Sequence, residues 1–265
     1  MDIEGRRVLV TGASGGIGRV IAATLHARGA SLLLTGRDER ALERLCSDLG
    51  GRAEPVVADL ADPDQVAWLA ERARGVDILV SGAALPAAGP IDWFTPGEID
   101  RAFQVNLHAP VQLARALVPA MQQRNEGQLV FITSLLGRLT RPGATLYSAT
   151  KFGLRGFVLG LRDDLHQTGV GVTNVLPGFV RDAGMYADTG IDFPPGTPTS
   201  SPQEVADAVV RAVQRNPAEI VVAPAKLRFG ALVVTLAPGI GAKMMRRRNP
   251  PEHGEQVARA QASKR

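Results

Sequence analysis

Short runs dense in leucine and β-branched residues alternate along the chain with longer stretches whose apolar positions recur every third or fourth residue. The first kind reads as strands buried on both faces and the second as amphipathic helices covering them, the pattern of repeated βαβ units around a parallel sheet. Seven strands are predicted, at Arg7–Val10, Ser31–Thr35, Ala53–Val57, Asp77–Ser81, Gln128–Thr133, Val170–Leu176 and Glu219–Val222. Helices are expected between them, and Asp38, Asp62, Thr95 and Ser201 stand where a side-chain oxygen can cap the free N–H groups of a helix start. A single α/β domain over residues 1–225, doubly wound with helices on both faces of a seven-stranded parallel sheet, accounts for the pattern. One connection breaks the rhythm: residues 179–200 mix three prolines and three glycines with apolar side chains, a composition that predicts an irregular lid. Residues 226–265 read as a C-terminal helical segment and a basic tail.

Of the 265 residues 45% are hydrophobic and 21% charged, which supplies a large core and excludes a disordered or fibrous chain. Cys46 is the only cysteine, so neither an intrachain disulfide nor a cysteine zinc site is expected, and no metal site is predicted. No charged-then-apolar segment opens the sequence, and the expected address is cytoplasmic. The most lipid-like stretch, Phe229 to Ala242, has 14 residues, short of the roughly 18 that a membrane span requires. The net charge of +4 is unevenly placed, because from Lys243 onward seven Lys and Arg face two Glu, leaving 23 basic and 24 acidic residues before them. A neutral body lacks the footprint of a nucleic-acid groove, and any attraction to phosphate or anionic lipid belongs to the tail.

After the first strand comes Thr11-Gly12-Ala13-Ser14-Gly15-Gly16-Ile17-Gly18, opening a helix. Such glycines let a tight turn bring backbone close to a pyrophosphate, whose charge the helix N-terminus favours. The spacing of Gly12, Gly16 and Gly18 differs from the GxGxxG fingerprint, a plain structural turn is the alternative, and the absence of Gly-Lys-Ser/Thr excludes a P-loop. Where an acidic residue would hold the ribose hydroxyls of NAD, the second strand ends in Thr35-Gly36-Arg37. Arg37 can pair with a 2′-phosphate, which favours NADP(H) over NAD(H), although Asp38 and Glu39 follow directly and Arg37 can equally be a solvated charge. Asp59, past the third strand, either accepts a hydrogen bond from an adenine amine or leads into the next helix.

Tyr147 and Lys151 stand at i and i+4, one turn apart on one helix face. A nearby ammonium stabilises a phenolate, so Lys151 is expected to draw the Tyr147 phenol down from about 10 toward the range of a general acid or base. Ser134, at the end of the fifth strand, is placed to hydrogen-bond a substrate oxygen at the carboxyl edge of the sheet. Pro110 lies four residues after Asn106 and has no N–H for the Asn106 carbonyl, so a kinked helix with a free carbonyl is expected there.

With TGASGGIG at 11–18, Asp59, SGAA at 81–84, Asn106, Ser134, YSATK at 147–151 and Pro177-Gly178 in this order, the chain resembles the short-chain dehydrogenase/reductase family over roughly residues 5–225. That resemblance implies a Rossmann-like fold and hydride transfer between NAD(P) and a carbonyl or secondary alcohol. It implies Tyr147 as general acid/base, Ser134 as the group that positions the substrate oxygen, and Lys151 as the residue that lowers the Tyr147 pKa and binds the nicotinamide ribose. Asn106 would hold a water on its backbone carbonyl. The cofactor would be held by Gly12, Ser14, Gly15, Gly16, Ile17, Gly18, Arg37, Asp59, Leu60, Ser81, Ala83, Asn106, Tyr147, Lys151, Pro177, Gly178 and Val180. The family's usual outcome is a homodimer or homotetramer, and Ala149, Gly153, Gly156 and Gly160 offer a small-residue face for it. Two departures stand out: Ser81 and Ala84 replace the family's Asn and Gly, and Phe179-Val180-Arg181-Asp182 follows Pro177-Gly178 where the family often has Thr.

The residues expected on the substrate side, Leu85, Pro86, Leu135, Leu136, Phe179, Met185, Tyr186 and Phe193, are mostly apolar, which predicts a largely apolar ketone or secondary alcohol. The end of the chain from Lys226 is expected to touch an anionic membrane surface or a partner subunit, or to dock as a helix followed by a basic end. A cofactor-binding regulatory or scaffold protein with little turnover is the competing function.

Overall fold

The computed structural model describes residues 1–193, 196–237, 239, 243 and 251–264, with 251–253 as backbone only. Its strands are β1 (Arg7–Thr11), β2 (Ser31–Gly36), β3 (Ala53–Val57), β4 (Ile78–Ser81), β5 (Gly127–Ile132), β6 (Val170–Pro177) and β7 (Glu219–Val222), each bound within one residue of its expected place. They form one parallel sheet in the order β3-β2-β1-β4-β5-β6-β7. The order reverses between β1 and β4, which opens a crevice beyond the carboxyl ends of these two strands.

Around the sheet lie α1 (Gly16–His26), α2 (Glu39–Leu49), α3 (Pro63–Arg72), α4 (Pro96–Phe103), α5 (Ala109–Gln123), α6 (Thr145–Asp164) and α7 (Pro202–Arg215). All four expected caps are made. Asp38 accepts from the Ala41 N–H, Asp62 from Asp64 and Gln65, while Thr95 and Ser201 form reciprocal boxes with Glu98 and Glu204. Alternate strand residues serve opposite faces: Val8, Val10, Leu32, Leu34, Ile78 and Val80 pack with α1, α2 and α7. Leu9, Leu33, Leu79, Leu129 and Phe131 pack with α3, α5 and α6. Burial on both faces is why these strands read as unbroken apolar runs.

The break predicted near Pro110 is a π-turn over Gln104–His108, joining α4 to α5. One wide turn re-aims the chain without ending the helix, which accommodates a proline that lacks an N–H.

The connection after β6 is irregular, as its composition implies. A parallel bridge pairs Val180 with Ser200, and Ala187–Thr189 form a short 3-10 turn. Phe179, Tyr186 and Phe193 pack together between them, the last two rings stacked at 3.9 Å. Pro194 and Pro195 lie outside the described residues.

Beyond β7 come α8 (Ala225–Leu236) and α9 (Pro251–Gln261). The second of these docks on the loop after β6: Val257 and Ala258 are buried, Gln261 Nε2 donates to the Met185 carbonyl at 2.9 Å, and Lys264 pairs with Asp188 at 2.9 Å. Arg259 lies over the Trp93 ring at 5.4 Å. Of the expected basic tail, Arg246, Arg247 and Arg248 lie outside the described residues. Among the described residues no helix is long and apolar enough to cross a membrane.

Candidate active site

Two adjoining cavities occupy the crevice. The larger, of about 400 Å³, is lined by the glycine turn, Thr35, Gly36, Arg37, Asp59, Leu60, Ala83 and Leu85. The smaller, of about 190 Å³, is lined by Ser134, Leu136, Arg141, Tyr147, Lys151, Pro177, Gly178, Phe179 and Val180. Gly184 and Met185 border both, so the loop after β6 forms their shared wall.

The glycine turn is built for close approach. Gly12 has φ +72°, and a Cβ there would lie 2.8 Å from the Ala83 Cα. A Cβ on Gly18 would sit on the Gly12 carbonyl oxygen. Thr11 Oγ1 accepts from the Gly82 and Ala83 N–H groups at 3.0 and 3.1 Å, which pins the ends of β1 and β4 together beneath this turn. At the end of β2, a Cβ on Gly36 would come within 2.7 Å of Ser14 Oγ, so a side chain at the position that could carry a carboxylate for a ribose would displace that hydroxyl. Arg37 is exposed beside it at the cavity edge. This cradle, open to a phosphate chain and edged by a cationic side chain, suits a dinucleotide.

Asp59 borders the same cavity, with one carboxylate oxygen accepting from the Ala61 N–H at 3.0 Å and the other 3.5 Å from Arg101. Both of the roles foreseen for it are therefore compatible with one position. Ser81 ends β4 fully buried and touches neither cavity. Pro177, Gly178 and Val180 line the smaller cavity.

In the smaller cavity β5 delivers Ser134 and α6 delivers Tyr147 and Lys151. Ser134 Oγ accepts from the Leu136 N–H at 3.1 Å, which fixes the hydroxyl at the strand end. Tyr147 packs against Ala87, Phe94, Ala102 and Leu146. The Lys151 ammonium is 1% exposed, lies 5.7 Å from the centre of the Tyr147 ring and donates to the Ile132 carbonyl at 3.3 Å. Burial lowers Lys151 to about 8. For Tyr147 the expected lowering by Lys151 is not found: burial pushes the phenol up to about 12, and the opposing influence is a hydrogen bond with Ser134. Removal of the phenol from water outweighs an ammonium that faces its ring.

Asn106 is fully buried on the π-turn, and its side chain straps the segment after β4. Oδ1 accepts from the Leu85 N–H at 2.7 Å, while Nδ2 donates to the Leu85 carbonyl at 3.1 Å and to Thr150 Oγ1 at 3.3 Å. This links the wall of the larger cavity to the helix bearing Tyr147 and Lys151.

Of the residues expected on the substrate side, Leu136, Phe179, Met185, Tyr186 and Pro86 line the smaller cavity. Leu85 is a correction: its backbone is held by Asn106, it is buried in the core cluster that includes Val105 and Ala109, and it borders the larger cavity, not the smaller. Leu135 also departs, packing under α8 with Leu139, Ala231 and Val234. Arg141, Val257 and Gln261 line the smaller cavity and Lys264 the larger, none of them foreseen. Arg141 had one available signal, its position between Ser134 and Tyr147; the other three come from a chain end whose docking as a helix was one expected alternative, with no local pattern to say what it would meet.

A family model described as short chain dehydrogenase matches residues 6–191. The chain is 33% identical over 227 residues to the ketoacyl reductase HetN of Nostoc sp., covering 83% of this chain and 79% of that protein. Among solved structures, a short-chain dehydrogenase from Sphingobium yanoikuyae in complex with NADPH superposes with a TM-score of 0.77 at 29% identity, covering 89% of this chain and 95% of that one. A metagenomic short-chain oxidoreductase in complex with NADP gives 0.71 at 32% identity, covering 84% and 98%.

Proposed function

Because the chain belongs to the short-chain dehydrogenase/reductase family, we propose that it is an NADP-dependent oxidoreductase that reduces a ketone or oxidises a secondary alcohol with a largely apolar body. The observation that carries this is the convergence of Ser134, Tyr147 and Lys151 on one small apolar cavity that adjoins the glycine cradle. NADP-bound relatives of similar fold support the choice of cofactor.

When bound, the dinucleotide supplies or accepts the hydride. The residues of this chain do the rest. The glycine turn and the start of α1 hold the pyrophosphate, and Arg37 pairs with the 2′-phosphate. Ser134 hydrogen-bonds the substrate oxygen and fixes the carbonyl beside Tyr147. The phenol stays protonated across the physiological range, which is the form that donates a proton to the oxygen of a carbonyl being reduced. Lys151, protonated below about 8 and 5.7 Å from the centre of the Tyr147 ring, would then offset part of the charge of the phenolate that remains. Lys151 would also hold the nicotinamide ribose of a bound dinucleotide. The apolar walls exclude water and leave the polar work to these few groups. Homo-oligomer assembly is part of the proposal, with Gly156 and Gly160 of α6 facing open space.

Fluorescence titration with NADPH and NADH tests the cofactor assignment. Wild type binds NADPH more tightly, and Arg37→Ala abolishes the preference. Tyr147→Phe keeps cofactor affinity while losing carbonyl reduction. A chain that binds neither dinucleotide would instead be the regulatory or scaffold protein.

A further inference from the structure

Away from Ser134, Tyr147 and Lys151 the wall of the smaller cavity is mostly apolar, and of its other polar members, Tyr186, Gln261 and Arg141 among them, only Arg141 is cationic. That arginine sits in the turn between the 3-10 segment after Ser134 and the start of α6, its carbonyl accepting from the Ala144 N–H at 3.1 Å. Its side chain enters the cavity alongside Tyr147, Tyr186 and Gln261. The Nε atom is buried without a hydrogen-bond partner, and among the described residues no carboxylate pairs with the guanidinium. Other half-buried arginines are satisfied: Arg6 pairs with Glu126, Arg138 and Arg155 pair with Glu219, and Arg162 donates to the Val172 carbonyl and to Asn216.

A guanidinium taken out of water and left without an anion is costly, and burial pulls the Arg141 pKa below its ordinary value. Structural arginines avoid this cost by pairing; an unpaired one that faces a cavity is poised to pair with what enters it. The dinucleotide does not fill that role. The cations bordering the cofactor cavity are Arg37 and Lys264, and Arg141 borders only the smaller one.

Resting on the oxidoreductase reading above, we propose that Arg141 is the specificity determinant for an acidic substrate. The substrate is an oxo or hydroxy compound with a short apolar body and an oxyanion, a carboxylate or a phosphate ester, that pairs with this guanidinium while its carbonyl meets Ser134 and Tyr147. The cavity of about 190 Å³ suits a short chain, since ligand pockets commonly reach roughly 300–1,000 Å³. Planar, two-pronged recognition of an oxyanion is what an arginine offers and a lysine does not.

The test uses the full chain with NADPH and a series of α-, β- and γ-oxocarboxylic acids, each beside its methyl ester. Acids are expected to exceed their esters in kcat/KM by roughly tenfold to a hundredfold. In Arg141→Met this ratio collapses through KM, and Arg141→Lys recovers part of it. An unchanged ratio in Arg141→Met overturns the proposal. A second readout does not depend on turnover: phenylglyoxal modification of Arg141, followed by peptide mass spectrometry with butanoate, butyl phosphate or methyl butanoate present. Protection by butanoate or by butyl phosphate supports the site and tells which acid it takes. Equal modification with all three overturns it, even if acids happen to be good substrates. NADPH binding with no oxo compound reduced, yet with butanoate protecting Arg141, defeats the oxidoreductase reading and leaves the anion site standing.

Discussion

Arg155 grips Glu219 with two nitrogens, Nε at 2.8 Å and a terminal nitrogen at 3.1 Å, and so ties the helix that carries Tyr147 to the start of β7. The same carboxylate accepts from Arg138, which follows the turn after Ser134, and from Asn174 Nδ2 on β6 at 2.9 Å. Asn174 in turn accepts from Thr133 Oγ1 at 2.6 Å. One carboxylate therefore locks together the segment bearing Ser134, the helix bearing Tyr147 and Lys151, and the sheet beneath them. The spacing of Ser134, Tyr147 and Lys151 rests on this knot.

Burial pushes the Glu219 carboxyl up, but the hydrogen bonds from Arg155, Arg138 and Asn174 outweigh it and hold it below the ordinary carboxylate value. A carboxyl so held gives stability that is present at neutral pH and is lost as pH falls through and below the ordinary carboxylate range. Glu219→Gln strands two guanidiniums and is expected to cost about 3 kcal/mol at pH 7. The gap should narrow on acidification in urea-unfolding series of both proteins. Parallel pH curves for the two would show that the knot carries no linked stability.

Lys151 predicts a slope of the same sign in the alkaline range, because its folded value is depressed as well. Its folded value of about 8 lies below the ordinary 10.5 or so, so between these two pH values the unfolded chain holds a proton that the folded chain lacks. Stability attributable to Lys151 accordingly rises with pH over that window, by about 3 kcal/mol in all. Lys151→Met should be more stable than wild type at pH 7 and lose this advantage by pH 10, while its turnover falls at least about a hundredfold. Differential unfolding against pH checks it; a variant less stable than wild type at pH 7 would mean that the bond to the Ile132 carbonyl outweighs the burial of the charge.

Asn106→Ala leaves the Leu85 N–H and carbonyl without partners in a dry interior. A cost of about 2–4 kcal/mol follows, together with weaker dinucleotide binding, because Leu85 lines the larger cavity. Asn106→Asp should restore the bond from the Leu85 N–H and lose that to its carbonyl, so its stability falls between the two. Thermal melts and an NADPH titration decide, and an alanine variant of wild-type stability would dismiss the strap.

The sheet was legible because burial on both faces writes continuous apolar runs, and the helix starts were legible because Asp38, Asp62, Thr95 and Ser201 are local signals. Ser134, Tyr147 and Lys151 were legible from spacing and family resemblance. The Tyr147 titration was not, since i and i+4 spacing states proximity of a charge and says nothing of how much water is removed. Leu85 went to the other cavity because its direction is set by Asn106, far along the chain. Arg141 gains its meaning only from Tyr186 and Gln261, which arrive from remote segments.

A docked C-terminal helix was one of the expected alternatives, but the surface that α9 meets, the loop after β6, was not. Gln261 and Lys264 hold Met185 and Asp188, both in the loop whose Gly184 and Met185 wall the two cavities. The same loop rests on the glycine turn: a Cβ on Gly16 would lie 2.8 Å from the Ala183 Cβ, and one on Gly184 would lie 2.9 Å from Ile17 Cδ1. A dinucleotide spanning the two cavities would lie against this loop, so whatever holds the loop would also set how fast the cofactor exchanges. Ending the chain at residue 250 removes both hydrogen-bonded ties and the buried Val257 and Ala258. Trypsin cleavage after the exposed Arg181 should then quicken by about tenfold, as expected where local opening loses its restraint. NADPH dissociation, followed by stopped-flow fluorescence, should quicken with it, while the core of the sheet melts at an unchanged temperature. Cleavage and dissociation at wild-type rates would show that the loop stands without α9 and that the docked helix has no part in cofactor exchange.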